Sequence, residues 1–106
     1  MSYRYMRLIL FFDLPMETSQ DRREYARFRK LLVRSGFVMM QKSVYSKLAL
    51  TQTSADAALE QIRKQKPPQG TVQALLITEK QYARIEYILG ERTGDVLDSD
   101  ERLVEL

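Results

Sequence analysis

The segment Tyr5-Met6-Arg7-Leu8-Ile9-Leu10-Phe11-Phe12 constrains the fold more than any other part of the chain. Side chains alternate between the two faces of a strand. Met6, Leu8, Leu10 and Phe12 therefore share one face, and Tyr5, Ile9 and Phe11 share the other with Arg7 and Asp13. Both faces are largely apolar. One is expected to carry helices, and the other needs a second cover such as another subunit. Asp13 ends the run, and Pro15, which has no N–H to offer a ladder, blocks its continuation.

The rest of the chain supplies the layers this strand needs. A helix is expected from about Ser19 to Ser35, with Thr18 as N-cap, Asp21 three residues on, and Gly36 as the stop. At about 100° per residue, Tyr25, Phe28 and Leu32 form its core stripe. Arg23, Arg27, Lys30 and Arg34 fall in a narrow arc on the opposite side. Four like charges at those spacings repel one another and cost helix stability, with only Asp21 and Glu24 nearby to soften them. The row reads either as a binding rail for a polyanion or as an ordinary solvated face.

Phe37–Gln41 and Ser43–Leu50 read as two strands meeting at a tight turn near Gln41-Lys42. A second helix is expected from about Ser54 to Gln65, capped by Thr53 or Ser54, with Ala55, Ala58, Leu59 and Ile62 inward. Lys66-Pro67-Pro68-Gln69-Gly70 breaks it. Thr71–Thr78 is a strand apolar at both parities, Glu79–Arg84 a turn or short helix, and Ile85–Leu89 a short strand. Glu91–Glu101 is polar loop, and Arg102–Leu106 alternates like a strand.

The order β-α-β-β-α-β is that of an α+β, ferredoxin-like sandwich with a C-terminal β extension. We expect a domain over 1–90 and an acidic extension over 91–106. Two helices cover one sheet face, while the other presents Ile9, Phe11 and part of 71–78. That predicts a homodimer joined through its sheets, with the terminal strand adding to the partner's sheet edge.

A length of 106 residues fits one domain. Cys and His are both absent, which removes disulfides, thiolate nucleophiles, zinc fingers and every His-containing triad. Chemistry here is left to carboxylates, hydroxyls, Lys, Arg or a hard metal ion. No apolar run approaches the roughly 18 residues of a membrane span, and the N-terminus does not read as a signal peptide, so a cytoplasmic protein is expected. Residues 1–47 carry ten Lys/Arg against four Asp/Glu, and residues 48–106 carry seven against ten. Such a split suggests a basic surface for a polyanion and an acidic tail that meets something else.

Asp13, at the C-terminal end of the first strand, is the carboxylate best placed for chemistry; the plainer reading is a turn cap before Pro15. A single Asp is a poor metal site. A two-fold axis near the strand end would bring Asp13 and its symmetry mate together, and two facing carboxylates repel unless a cation sits between them. Mg²⁺ suits such a pair, since it takes one or two carboxylates and fills its shell with water and phosphate oxygens. That arrangement could activate water for phosphodiester cleavage. Phe12 and Tyr45 could stack on bases or flank a phosphate path, although strand aromatics more often belong to a core. Ser43 and Ser46 read as hydrogen-bonding strand residues rather than nucleophiles, because no His exists to activate them.

Several segments together resemble a known family. The first strand ending in Asp13-Leu14-Pro15, the basic helix closing at Gly36-Phe37, and Gln41-Lys42-Ser43-Val44-Tyr45 are similar to the CRISPR-associated protein two family, the small partner in spacer acquisition. Thr78-Glu79-Lys80-Gln81-Tyr82-Ala83-Arg84 and Ser99-Asp100-Glu101-Arg102-Leu103-Val104 resemble its branch that accompanies single-effector nuclease systems. The resemblance covers nearly the whole chain. It implies a ferredoxin-like homodimer that bridges two dimers of the spacer integrase and lies along duplex DNA. It also implies a metal-dependent endonuclease acting on RNA or DNA. Asp13 would be the Mg²⁺-binding catalytic aspartate, Phe12 and Tyr45 the aromatic positions near it, and Arg27 a basic helix position. Met39 stands where the family often has a basic residue, a departure that weighs against catalysis more than against binding. A stand-alone, toxin-like ribonuclease of the same fold is the alternative.

Overall fold

The computed structural model describes residues 5–92. Its elements are β1 (Met6–Asp13), α1 (Ser19–Arg34), β2 (Val38–Gln41), β3 (Val44–Ala49), α2 (Gln52–Lys64), β4 (Thr71–Thr78) and the short α3 (Glu79–Ala83). The strands form one antiparallel sheet in the order β2-β3-β1-β4. β1 is central, as its two apolar faces require. Leu10 lies between Tyr45 of β3 and Ala74 of β4.

The core lies between the sheet and the helices. Leu8, Leu10 and Phe12 of β1 meet Phe28, Leu31 and Leu32 of α1, Ile62 of α2, Phe37 and Tyr45. Phe12 sits at the centre of an aromatic cluster, edge-on to Phe28 at 5.2 Å, stacked on Tyr45 at 5.7 Å and tilted against Tyr25 at 5.9 Å. Such contacts add roughly 0.5–1.5 kcal/mol each beyond simple burial.

α1 begins and ends where its sequence signals place it. Thr18 and Asp21 exchange both capping-box hydrogen bonds, each 3.0 Å. At the other end Gly36, at φ +91°, takes the left-handed position beyond the cap. The Phe37 N–H then donates to Leu32 O (2.9 Å) and the Gly36 N–H to Val33 O (3.1 Å), which satisfies two terminal carbonyls and drives Phe37 into the core.

Four expectations change. α2 starts earlier, at Gln52, because Thr51 and Ser54 form a reciprocal capping box that the later candidates, Thr53 and Ser54, cannot match. Residues 85–89 are not a strand: the chain leaves α3 through a turn with no ladder partner for them. Leu31 joins the stripe of Phe28 and Leu32. Ile9 is buried within the chain at 4% exposure, so the uncovered sheet face is Phe11 (37%), Leu48 (41%) and Leu75 (49%) instead. At the far end of that face, the Arg7 guanidinium makes a two-pronged bond to Glu79 (3.0 and 2.8 Å) and lies 4.2 Å over the Tyr82 ring, which seats α3. The expected strand at 102–106 and all of the acidic extension past Arg92 lie outside the described residues.

Candidate functional site

Asp13 is the last residue of β1 and is exposed. Its position is fixed from both sides. β4 pairs it with Thr71, and the Phe12 N–H beside it donates to Ser43 O at 3.0 Å. The chain reaches Thr71 through Gly70, at φ +102°. A Cβ at Gly70 would stand 2.6 Å from Asp13 O and 2.8 Å from a Leu14 methyl, so only glycine lets this loop pass so close behind the carboxylate.

A cleft of about 160 Å³ opens at this end of the sheet, lined by Asp13, Ser43, Thr71, Gln73 and the exposed edge of Phe11 among others. Carboxylate, hydroxyl and amide groups make it a site for hard, oxygen-seeking ligands. Among the described residues, no three Asp or Glu cluster to hold a metal ion. One chain thus offers a single carboxylate to Mg²⁺, which fits that ion's habit of taking one or two carboxylates and keeping its waters.

Ser43 is the unusual residue of the cleft. It closes the Lys42-Ser43 turn between β2 and β3 at φ +70°, the left-handed region that Gly or Asn ordinarily fills. A serine held there costs about 1–3 kcal/mol. Its Oγ lies 3.1 Å from the Tyr25 hydroxyl of α1.

Phe12 lies beside Asp13 as expected, but the burial of Phe12 and Tyr45 limits what either ring can do there. They are 6% and 2% exposed, inside the core on the helix side of the sheet, and cannot stack on a base. Phe12 reaches the wall of the Asp13 cleft despite its burial, and Phe11, of opposite parity, is the exposed ring that lines it.

The cations of α1 stand as a row on its exposed side. Arg23 donates to Gln20 Oε1 at 2.8 Å, and Arg27 pairs with Glu24 at 2.9 Å. Lys30 and Arg34 enter no salt bridge among the described residues. Arg23, Ala26, Arg27 and Lys30 line a shallow, open groove. Arg22, although next in sequence, turns back to bond Met16 O and Glu17 O (3.1 and 3.0 Å) and fastens the loop between β1 and α1. The sequence gives no sign of Ser43's conformation or its Tyr25 partner, since 18 residues separate the two. Gly70 is detectable only as part of a loop breaker.

Residues 6–85 match the family model described as CRISPR associated protein Cas2. The chain is 54% identical over 101 residues to the CRISPR-associated endoribonuclease Cas2 of Treponema denticola, covering 95% of this chain and all of the relative. It is 45% identical to the protein of the same name from Streptococcus mutans, covering 95% of this chain and 93% of the relative. The crystal structure of Streptococcus pyogenes Cas2 superposes with a TM-score of 0.61 at 20% identity, over 79% of this chain and 99% of that one. A second Cas2 crystal structure gives 0.59 at 16% identity, over 84% and 91%. With family model and full-length relatives in agreement over β1 to α3, the chain belongs to the CRISPR-associated Cas2 family.

Proposed function

We propose that this protein acts in CRISPR spacer acquisition as a homodimer that lies along duplex DNA and holds integrase dimers, and that it carries an Mg²⁺-dependent endonuclease site at Asp13. The relatives named CRISPR-associated endoribonucleases support the nuclease half and favour it over a toxin-like role. The observation that carries the DNA half is the α1 row: four exposed cations on one helix face, of which only Arg27 is paired with an acidic residue among the described residues. Duplex DNA rewards such a row, because each phosphate neutralised releases counterions, and a helix face tracking the backbone needs no base contacts.

The exposed patch of Phe11, Leu48 and Leu75 supports a second copy on the open sheet face. A two-fold axis there would set Asp13 opposite the Asp13 of that copy. The pair would hold Mg²⁺, which when bound supplies Lewis acidity at the phosphoryl oxygen and a more acidic water. β4 stands at the edge of the described sheet, and residues 102–106 would add to it from the second copy. The acidic extension, repelled by DNA, would meet the integrase.

The test separates the two halves. Asp13→Asn is expected to abolish Mg²⁺-dependent cleavage of single-stranded RNA while duplex affinity stays within twofold of the wild type. Cleavage that persists in Asp13→Asn, or survives chelation, removes the nuclease half.

A further inference from the structure

We propose that Ser43 is a substrate-binding residue of the Asp13 site, its hydroxyl oriented by Tyr25 to donate to a non-bridging oxygen of the bound phosphodiester. The inference rests on the Asp13 nuclease reading and extends it by one residue. Its starting point is an outlier. Ser43 holds φ +70° at a tight turn where glycine would be unstrained. The backbone duty of the position, accepting the Phe12 N–H at 3.0 Å, needs only a carbonyl, which glycine has as well. What serine adds is the hydroxyl.

That hydroxyl has Tyr25 as its partner, and its residue lines the cleft. Tyr25 and Ser43 share a hydrogen bond of 3.1 Å in which either hydroxyl could donate, and we take the more acidic phenol as the donor to Ser43 Oγ. Tyr25 is itself held in place by the Phe12 ring. With its lone pair engaged, Ser43 keeps its own O–H to give. Ser43 lines the cleft together with Asp13, Thr71 and Gln73, and on this inference its proton goes to a phosphate oxygen bound beside the carboxylate. A hydrogen bond to a charged oxygen is stronger than one between neutral groups, which gives the strained turn a return that a purely structural hydroxyl would not.

The experiment compares the wild-type protein with Ser43→Gly, Tyr25→Phe and Asp13→Asn. Four quantities are read: melting temperature, oligomeric state, Mg²⁺-dependent cleavage of a single-stranded RNA, and affinity for that RNA in EDTA. Ser43→Gly relieves the backbone and deletes the hydroxyl, so it is expected to melt no lower than the wild type yet to lose about tenfold in kcat/KM. Tyr25→Phe keeps the ring and the serine, so its loss is smaller and in the same direction. RNA affinity in EDTA falls in the same order. A merely structural bond predicts the reverse pattern, with melting temperature moving and cleavage steady. If Ser43→Gly and Tyr25→Phe both cleave and bind RNA within twofold of the wild type while Asp13→Asn is dead, the Ser43 inference fails and the Asp13 site stands. If Asp13→Asn cleaves normally, or the wild type does not cleave at all, the Asp13 reading fails and takes this inference with it. Should Ser43→Gly lose its fold, Tyr25→Phe decides alone.

Discussion

Neutralising Lys30 and Arg34 tests the DNA-binding reading most directly, because the other two rail cations already bond neighbouring side chains. Arg23 is partly occupied by Gln20, and Arg27 gives its Nε to Glu24 at 2.9 Å. A homodimer would carry two rails, hence eight cations. If each meets one phosphate, log affinity falls against log salt with a slope of about −7, and of about −4 in Lys30→Gln/Arg34→Gln. Between about 50 and 200 mM salt this means a loss of about 10⁴-fold for the wild type and about 10²-fold for the double variant. Fluorescence anisotropy of a labelled duplex of arbitrary sequence, titrated at four salt concentrations, reads the slope. Two controls sharpen it. Glu24→Gln releases Arg27 and is expected to tighten binding. Arg22→Gln removes a cation of the same helix that is tied to Met16 O and Glu17 O, and is expected to leave the slope unchanged. A double variant with the wild-type slope would refute the reasoning, and the row on α1 would be a solvated face.

Gly70→Ala forces a Cβ to within 2.6 Å of Asp13 O at φ +102°, where the opposing atom is backbone and cannot yield. We expect a cost of more than about 1 kcal/mol, a drop in melting temperature of at least about 4 °C, and a disturbed Asp13 site. A scanning-calorimetry melt unchanged from the wild type would contradict it. Thr18→Ala removes the capping-box acceptor for the Asp21 N–H, for an expected loss of about 1 kcal/mol read by urea denaturation. A midpoint no lower than that of the wild type would show that the α1 terminus finds another cap.

Local signals made the fold legible. β1 declared itself a central strand by being apolar at both parities, and α1 declared both its ends through Thr18/Asp21 and Gly36, all within a few residues of chain. Where two local signals competed, the reading slipped. Thr51, Thr53 and Ser54 are all competent caps, and what decides among them is that Ser54 can return the bond to Thr51, so α2 starts two residues earlier, at Gln52. Ile85–Leu89 has strand-like composition but pairs with no strand among the described residues, and without a ladder an apolar run stays irregular. The placement of the candidate site's residues was half legible. Asp13 follows from its place before Leu14-Pro15 at a strand end. The depth of Phe12 and Tyr45 follows from how α1 lies on the sheet, and the Tyr25–Ser43 contact joins a helix to a turn that only tertiary structure brings together.

The division of the two surfaces bears on what the protein can cut. The rail stands on the exposed side of α1, in the helix layer, and the groove it borders shares no lining residue with the Asp13 cleft. Asp13 belongs to the parity of β1 that faces away from the helices, alongside Ile9 and Phe11. A rigid duplex seated along α1 therefore presents its phosphates to guanidinium and ammonium groups, not to the carboxylate. A phosphodiester that reaches Asp13 has to enter a cleft of about 160 Å³ at the sheet end, which a flexible single strand can do by turning one phosphate inward. On the proposed function, binding a duplex and cleaving a single strand would then be separate capacities of one chain. That separation is why Asp13→Asn is expected to lose the second and keep the first, and why Lys30→Gln/Arg34→Gln weakens the first without touching a residue of the cleft.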